Sequence, residues 1–173
     1  MDKIQPFTIS VFTENRPGLL ARVTIVLTRR RLNIESITVS ESEVPGVHRY
    51  TLVLRTTRDA AEKATAQVNK LVDVLKAFVH PEQQILSREL ALYKLNAQTI
   101  DQLVAEKLVR HHQAAITYRD EHFLVIEKTG SRPETELLRL ALESFGVLEF
   151  ARSGQVTITK PMKELRTYLA ELE

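Results

Sequence analysis

The sequence predicts an α+β chain in which one order of elements, strand–helix–strand–strand–helix–strand, occurs twice. In the first half, apolar residues alternate from Phe7 to Val11 and then recur at helical spacing from Leu19 to Leu27, which indicates a strand followed by a helix. The second half repeats this order with little sequence in common. Between the halves, the polar stretch Pro81–Gln84 indicates a boundary. Residues 1–82 and 83–173 are therefore predicted to form two ferredoxin-like (βαββαβ) domains in tandem.

The other elements of the first half are predicted from the same alternating and helical spacings of apolar residues. Asn33 is expected to end the first helix, and Ile34–Glu41 and Val47–Thr56 are predicted to form an antiparallel hairpin. Asp59 is the predicted N-cap of the second helix. Val74–Val79 is predicted to be the last strand of this half.

The second half divides by the same criteria. Helices are predicted at Thr99–His111, from Pro133 onward, and at Pro161–Leu172. Strands are predicted at Ile85–Leu95, Ala114–Tyr118, Phe123–Ile126 and Val147–Ala151, the last extended by Val156–Thr159. One mixed α+β domain is the alternative, because a chain of 173 residues can form either one large domain or two small ones.

The composition excludes several classes of protein. Hydrophobic residues make up 43% and charged residues 27%, as in ordinary globular proteins. The net charge of +2 does not indicate a nucleic-acid or membrane partner. The absence of cysteine excludes disulfides, thiolate metal sites and cysteine nucleophiles. No secretory pattern and no apolar run of about 18 residues occurs, so a cytoplasmic location is expected.

Residues for catalysis or metal binding are not predicted. None of the five histidines has a second ligand at the spacing of a helical zinc pair. His111 and His112 fall at a predicted helix end, where interaction with the last carbonyl groups is a sufficient role. The run Arg29–Arg31 is explained in the same way by the helix dipole. No glycine-rich phosphate loop is present, and no cofactor is expected in this chain.

The loop Asn15–Gly18 is the strongest candidate for a binding site. It joins a strand to a helix, so the free N–H groups of the first helical turn lie beside it and attract carboxylates. Gly18 lets a ligand approach the backbone, and the amides of Asn15 and Asn33 offer donors and acceptors. These groups suit a small zwitterion. A plain structural turn with helix caps is the alternative.

Five segments together resemble the small regulatory subunit of acetohydroxyacid (acetolactate) synthase, and the resemblance extends over almost the whole chain. They are Glu14–Val23, Leu32–Val39, Lys70–Val74, Arg88–Leu95 and Ala151–Gly154.

The resemblance implies that residues 1–82 form an ACT domain, which dimerises and binds a branched-chain amino acid, usually valine, at the dimer interface. The implied effector residues are Asn15, Pro17, Gly18, Leu19 and Leu20 of one chain with Asn33 and Ile34 of its neighbour. It further implies a catalytic large subunit that carries thiamine diphosphate, Mg²⁺ and FAD. This chain would activate that subunit and confer feedback inhibition, with no catalysis of its own.

Two other classes of protein stay open at this stage. One is a stand-alone ACT-domain sensor that regulates a different enzyme or a transcription regulator, and the other is an enzyme in its own right. The sequence also departs from the family at Arg31, where a glycine is common. Because glycine favours a left-handed helix end, the first helix is expected to close differently here.

Overall fold

A computed structural model describes residues 3–160 and residue 167 of the chain. These residues form two compact units. The first contains the described residues up to Leu86 and those from Gln155 onward, and the second is Ser87–Gly154. The division thus falls four residues after the predicted boundary at 82, and the chain returns to the first unit near its end. The predicted helix Pro161–Leu172 lies outside the described residues, apart from Thr167.

The first unit has the predicted strand–helix–strand–strand–helix–strand order. Its strands form one antiparallel sheet in the order β2-β3-β1-β4, so β2 and β4 are its edges. The elements are β1 (Gln5–Glu14), α1 (Leu19–Arg29), β2 (Ile34–Glu41), β3 (Val47–Thr56), α2 (Arg58–Val68) and β4 (Val74–Pro81).

Both helices of this unit pack on one face of the sheet. On α1 the fully buried residues are Leu19, Val23 and Leu27, whose spacing of four places them on one side of the helix. Val23 and Leu27 meet alternate strand residues such as Val11 and Leu52 in one apolar cluster. The helix α2 packs on β4 and β1 and lies beside α1. Consequently α1 covers the half of the sheet that ends at β2.

The first helix closes by a left-handed residue, contrary to the expectation drawn from Arg31. It ends at Arg29 and not at Asn33, and Arg31 has a φ of 57°. The Arg31 N–H donates to the Thr28 carbonyl at 2.9 Å, and the Leu32 N–H donates to the Leu27 carbonyl at 3.0 Å. This bonding is the Schellman motif that normally uses glycine. Arg31 therefore adopts the left-handed conformation that glycine usually takes in this motif.

The second helix begins two residues earlier than a cap at Asp59 would place it. Its N-cap is Thr57, whose hydroxyl accepts a hydrogen bond from the Ala60 N–H. Asp59 lies in the first turn of the helix and pairs with Lys63 at 2.8 Å. The prediction of Asp59 as the cap was wrong because a threonine two residues upstream offers the same type of acceptor.

The second half of the chain forms a second antiparallel sheet, in the order β6-β7-β5-β8. The strand β9 does not extend β8 as predicted, because it pairs with β5. The elements are β5 (Ile85–Asn96), α3 (Gln102–His111), β6 (Ala115–Arg119), β7 (Phe123–Gly130), α4 (Arg132–Leu142), β8 (Val147–Arg152) and β9 (Val156–Thr159).

Caps fix where the helices of the second unit begin. Asp101 accepts hydrogen bonds from the N–H groups of Leu103 and Val104, so α3 begins three residues after the predicted Thr99. Ser131 and Glu134 form a capping box at the start of α4. Within the described residues, no helix has the length and apolar character needed to cross a bilayer.

Candidate functional site

The loop between β1 and α1 has an open backbone conformation at Gly18. This residue occupies the N-cap position of α1 with a φ of 80°, a left-handed value that glycine adopts without strain. A Cβ atom built at Gly18 would meet no other atom within 4 Å. Asn15 and Pro17 are exposed on the same loop. The loop is thus accessible from outside the fold at the start of the helix.

The first turn of α1 has donors that no side chain of the described residues caps. The Leu19 N–H reaches the Arg16 carbonyl at 3.4 Å. The N–H groups of Leu20 and Ala21 belong to the orphan donors of a helix start and point out of its N-terminus. With the dipole of the helix, they favour an anionic group such as a carboxylate.

The charged side chains around this loop are paired with one another. The Arg16 guanidinium donates to the Glu14 carboxylate at 3.0 Å, and this hydrogen bond raises the pKa of Arg16. Arg22 donates to Asp73 at 3.3 Å. Because both arginines have carboxylate partners, the backbone donors of α1 are the principal groups open to an incoming carboxylate.

The structure separates the predicted effector residues into two groups. Asn15, Pro17, Gly18, Leu19 and Leu20 lie together at the start of α1, whereas Asn33 and Ile34 follow its end. The helix has 11 residues, which at about 1.5 Å per residue separates the two groups by roughly 16 Å. One chain therefore does not bring all seven residues to one amino acid.

Within the first group, the two leucines differ in what they can contact. The Leu19 side chain is 1% exposed and belongs to the core, while Leu20 is 39% exposed. Only the backbone of Leu19 can reach a ligand at this loop. Of the second group, Asn33 is exposed and Ile34 is half-buried against the core.

An apolar patch that the sequence reasoning missed lies beside β2. Ile37 and Val39 are 37% and 40% exposed, and they pair with Leu52 and Tyr50 of the core. They therefore point to the helix-covered face at the sheet's open edge. An apolar pair at i and i+2 was visible in the sequence, but its exposure depends on β2 being an edge strand.

Leu20 completes this patch. It lies two residues from Arg22, or about 200° around the helix, and Arg22 bonds to Asp73 just before β4. Leu20 consequently faces the β2 side of α1. We call Leu20, Ile37 and Val39 the edge patch.

In the described part of the chain, no three His, Asp or Glu residues lie close enough together to hold a metal ion. One buried set of charged groups in the second unit has a structural role. Arg152 lies 3.0 Å from the buried carboxylate of Glu89 and bonds Glu136 at 2.9 Å.

Comparisons with known proteins match both halves of the chain. A family profile described as "AHAS small subunit-like ACT domain" matches residues 9–76, and one described as "Small subunit of acetolactate synthase" matches residues 88–161. The second match extends the similarity beyond the ACT domain.

Similar proteins and one solved structure agree with these profiles. The acetolactate synthase small subunit of Mycobacterium bovis is 35% identical, with 92% of this chain and 95% of that protein covered. That of Mycolicibacterium smegmatis is 35% identical, over 88% of this chain and 90% of that protein. The crystal structure of the acetolactate synthase small subunit from Thermotoga maritima has a TM-score of 0.84 at 31% identity, covering 92% of this chain and 100% of that one.

Proposed function

Because the chain belongs to the acetolactate synthase small-subunit family, we propose that it binds the catalytic subunit of that enzyme, raises its activity and makes it sensitive to a branched-chain amino acid. Valine is the first candidate effector, with leucine and isoleucine next. The catalytic subunit carries thiamine diphosphate, Mg²⁺ and FAD in this proposal. This chain supplies the sensor and no reacting group.

The observation that carries the effector site is the start of α1. Gly18 stands in a left-handed conformation with open space around it, and no side chain among the described residues caps the helix. An amino acid has one carboxylate for the N–H groups of Leu20 and Ala21. The exposed amide of Asn15 can accept a hydrogen bond from its ammonium group.

The separation of the two residue groups supports an effector site made by two chains. In this proposal the loop Asn15–Leu20 of one copy meets Asn33 and Ile34 of a second copy. The edge patch supplies the interface, because an open strand edge beside exposed apolar residues is a surface that favours association. The homodimer forms through β2 and α1 of each ACT domain.

The valine titration of the reconstituted enzyme tests the effector site. We expect Gly18→Asp to raise the half-inhibiting valine concentration at least tenfold, because the new carboxylate repels the effector's, and losing a charge-assisted contact costs about 1.5–3 kcal/mol. The positive φ at position 18 adds a backbone strain of about 1–2 kcal/mol to the aspartate variant. Gly146→Asp is the control, since Gly146 has a φ of 73° and open space in the second unit. An unchanged half-inhibition in Gly18→Asp would remove this loop from the site.

Calorimetry on the purified chain separates binding from transmission. We expect valine, leucine or isoleucine to bind the wild type and to bind Gly18→Asp more weakly. Stimulation of the catalytic subunit should survive in Gly18→Asp, because Gly18 is the N-cap of α1 and aspartate is among the residues that N-caps favour. Loss of stimulation together with unfolding would show that Gly18 has a structural role only.

Sedimentation of the full chain tests the interface. Val39→Asp should weaken the dimer, because it places a charge in the edge patch. Val72→Asp is the control, since Val72 is also exposed in the first unit, at 71%, but lies outside the patch. Equal dimerisation of both variants would rule out the edge patch. The full chain is needed because residues 155–160 belong to the first compact unit.

A further inference from the structure

A buried lysine in the second unit makes no hydrogen bond to a carboxylate among the described residues, although Glu134 lies close enough to attract it. Lys128 on β7 is 5% exposed, and its ammonium group donates to the Gln113 carbonyl at 3.4 Å. An ammonium group has three donors, so this long hydrogen bond leaves most of them unused. A buried charge is costly unless a counter-charge pairs with it. Because the carboxylate of Glu134 is held by Ser131, the unused donors of Lys128 are open to an anion from outside the chain.

The lysine forms part of the wall of a pocket that opens to solvent. The pocket has a volume of about 160 Å³, which is room for a small ion and not for a nucleotide. Its walls come from the end of α3, from β7 and from the start of α4. The lining residues are His111, His112, Gln113, Lys128, Glu134 and Leu137.

Among the charged groups of the pocket, the Glu134 carboxylate attracts Lys128 but forms no hydrogen bond with it. Glu134 is occupied by the start of α4, where its carboxylate accepts hydrogen bonds from the Ser131 N–H at 2.7 Å and the Ser131 hydroxyl at 2.6 Å. These bonds, and to a smaller extent the positive charges of Lys128 and Arg88, lower the pKa of Glu134. Burial, His111 and Lys128 lower the pKa of His112. A neutral imidazole still offers one N–H donor.

We propose that this pocket binds a small oxyanion, a carboxylate or phosphate group, with Lys128 as its main partner and His111 and His112 as additional donors. The site lies in the second unit and is separate from the amino-acid site proposed at α1. The competing explanation is that Lys128 only satisfies a carbonyl group after the C-terminus of α3, where a cation is favourable in itself. The two explanations differ in what removal of the charge does to stability.

Binding is measured by calorimetry on the full chain, with inorganic phosphate and acetate as separate probes at constant ionic strength. We expect saturable binding of at least one probe, and the stronger of the two identifies the class of oxyanion. Lys128→Met should weaken that binding at least about tenfold. Lys70→Met should leave it unchanged, because it removes the same charge from an exposed position in the first unit. Absence of saturable binding of both probes, or equal binding by Lys128→Met, overturns the proposal.

Thermal unfolding separates a binding role from a structural one. In buffer without oxyanions, Lys128→Met should melt at a higher temperature than the wild type, and the rise in melting temperature on adding the bound probe should be lost. A lower melting temperature in that buffer would assign Lys128 to the end of α3 alone. If Lys128→Met does not fold, NMR of the wild type decides, because the bound probe must shift the ring resonances of His111 and His112, and unshifted rings refute the site.

Discussion

Replacing Arg31 with glycine should stabilise the protein. Arg31 has a φ of 57°, a conformation that costs a residue with a Cβ about 1–2 kcal/mol. Its side chain is exposed and makes no hydrogen bond or ion pair with the described residues. Glycine removes the strain but gives the unfolded chain more freedom, which costs about 0.4–1 kcal/mol. The net gain should be about 0.5–1 kcal/mol.

The assay is thermal and urea unfolding of the full chain. A gain of 1 kcal/mol raises the melting temperature of a protein of this size by about 2–4 °C. Arg29→Gly is the matched control, because Arg29 lies in the last helical turn of α1, where glycine costs about 1 kcal/mol. The same substitution two residues apart should therefore have opposite signs. A lower stability of Arg31→Gly would refute the strain argument and show that the guanidinium makes a favourable contact of its own.

Three further predictions concern stability, each measured by urea denaturation. Thr57→Ala should cost about 1 kcal/mol, because it removes the cap of α2. Arg152→Met should cost about 3–5 kcal/mol, because it leaves the buried Glu89 carboxylate without the guanidinium at 3.0 Å, and adding Glu89→Gln should recover part of this. Burial raises the pKa of Tyr93 to about 12; the unfolded chain releases this proton first, near pH 10, so stability should fall between about pH 10 and 12, less so in Tyr93→Phe.

The fold could be predicted from the sequence because the spacing of apolar residues and the positions of turn residues indicate the same elements along most of the chain. The exceptions arise where two residues compete for one role or where tertiary packing overrides a local preference. Thr57 and Asp59 are both residue types that N-caps favour. Only the hydrogen bonding of the folded backbone shows which of them caps α2. Arg31 takes a left-handed conformation because Leu32 then packs against the apolar cluster of the first unit, and that burial outweighs a strain of about 1–2 kcal/mol.

The candidate sites differ in how far the sequence could predict them. The loop at Gly18 was predictable, because a strand–glycine–helix junction presents helix donors whatever the rest of the fold. The position of Lys128 was partly visible, since it continues the buried alternation of Leu124 and Ile126 on β7. The acceptor of its hydrogen bond was not visible, because Gln113 follows α3 and is distant in the sequence.

In the proposed two-chain effector site, the distance along α1 would link effector binding to dimerisation. If the loop at Gly18 and the segment at Asn33 form one pocket only across two chains, the effector binds the dimer and not the monomer. Each occupied site then stabilises the dimer by about 2.7 kcal/mol when the effector is at 100 times its Kd. With both sites filled, the dimer dissociation constant should fall by about 10⁴-fold.

Sedimentation at stepped protein concentrations, with and without valine, measures this shift directly. Gly18→Asp should reduce the shift from about 10⁴-fold to about 100-fold or less while leaving the dissociation constant without valine unchanged, because Gly18 lies outside the edge patch. A dimer constant that does not respond to a saturating effector would mean that the pocket is complete within one chain. Asn33 and Ile34 would then take no part in it, since they lie at the far end of α1.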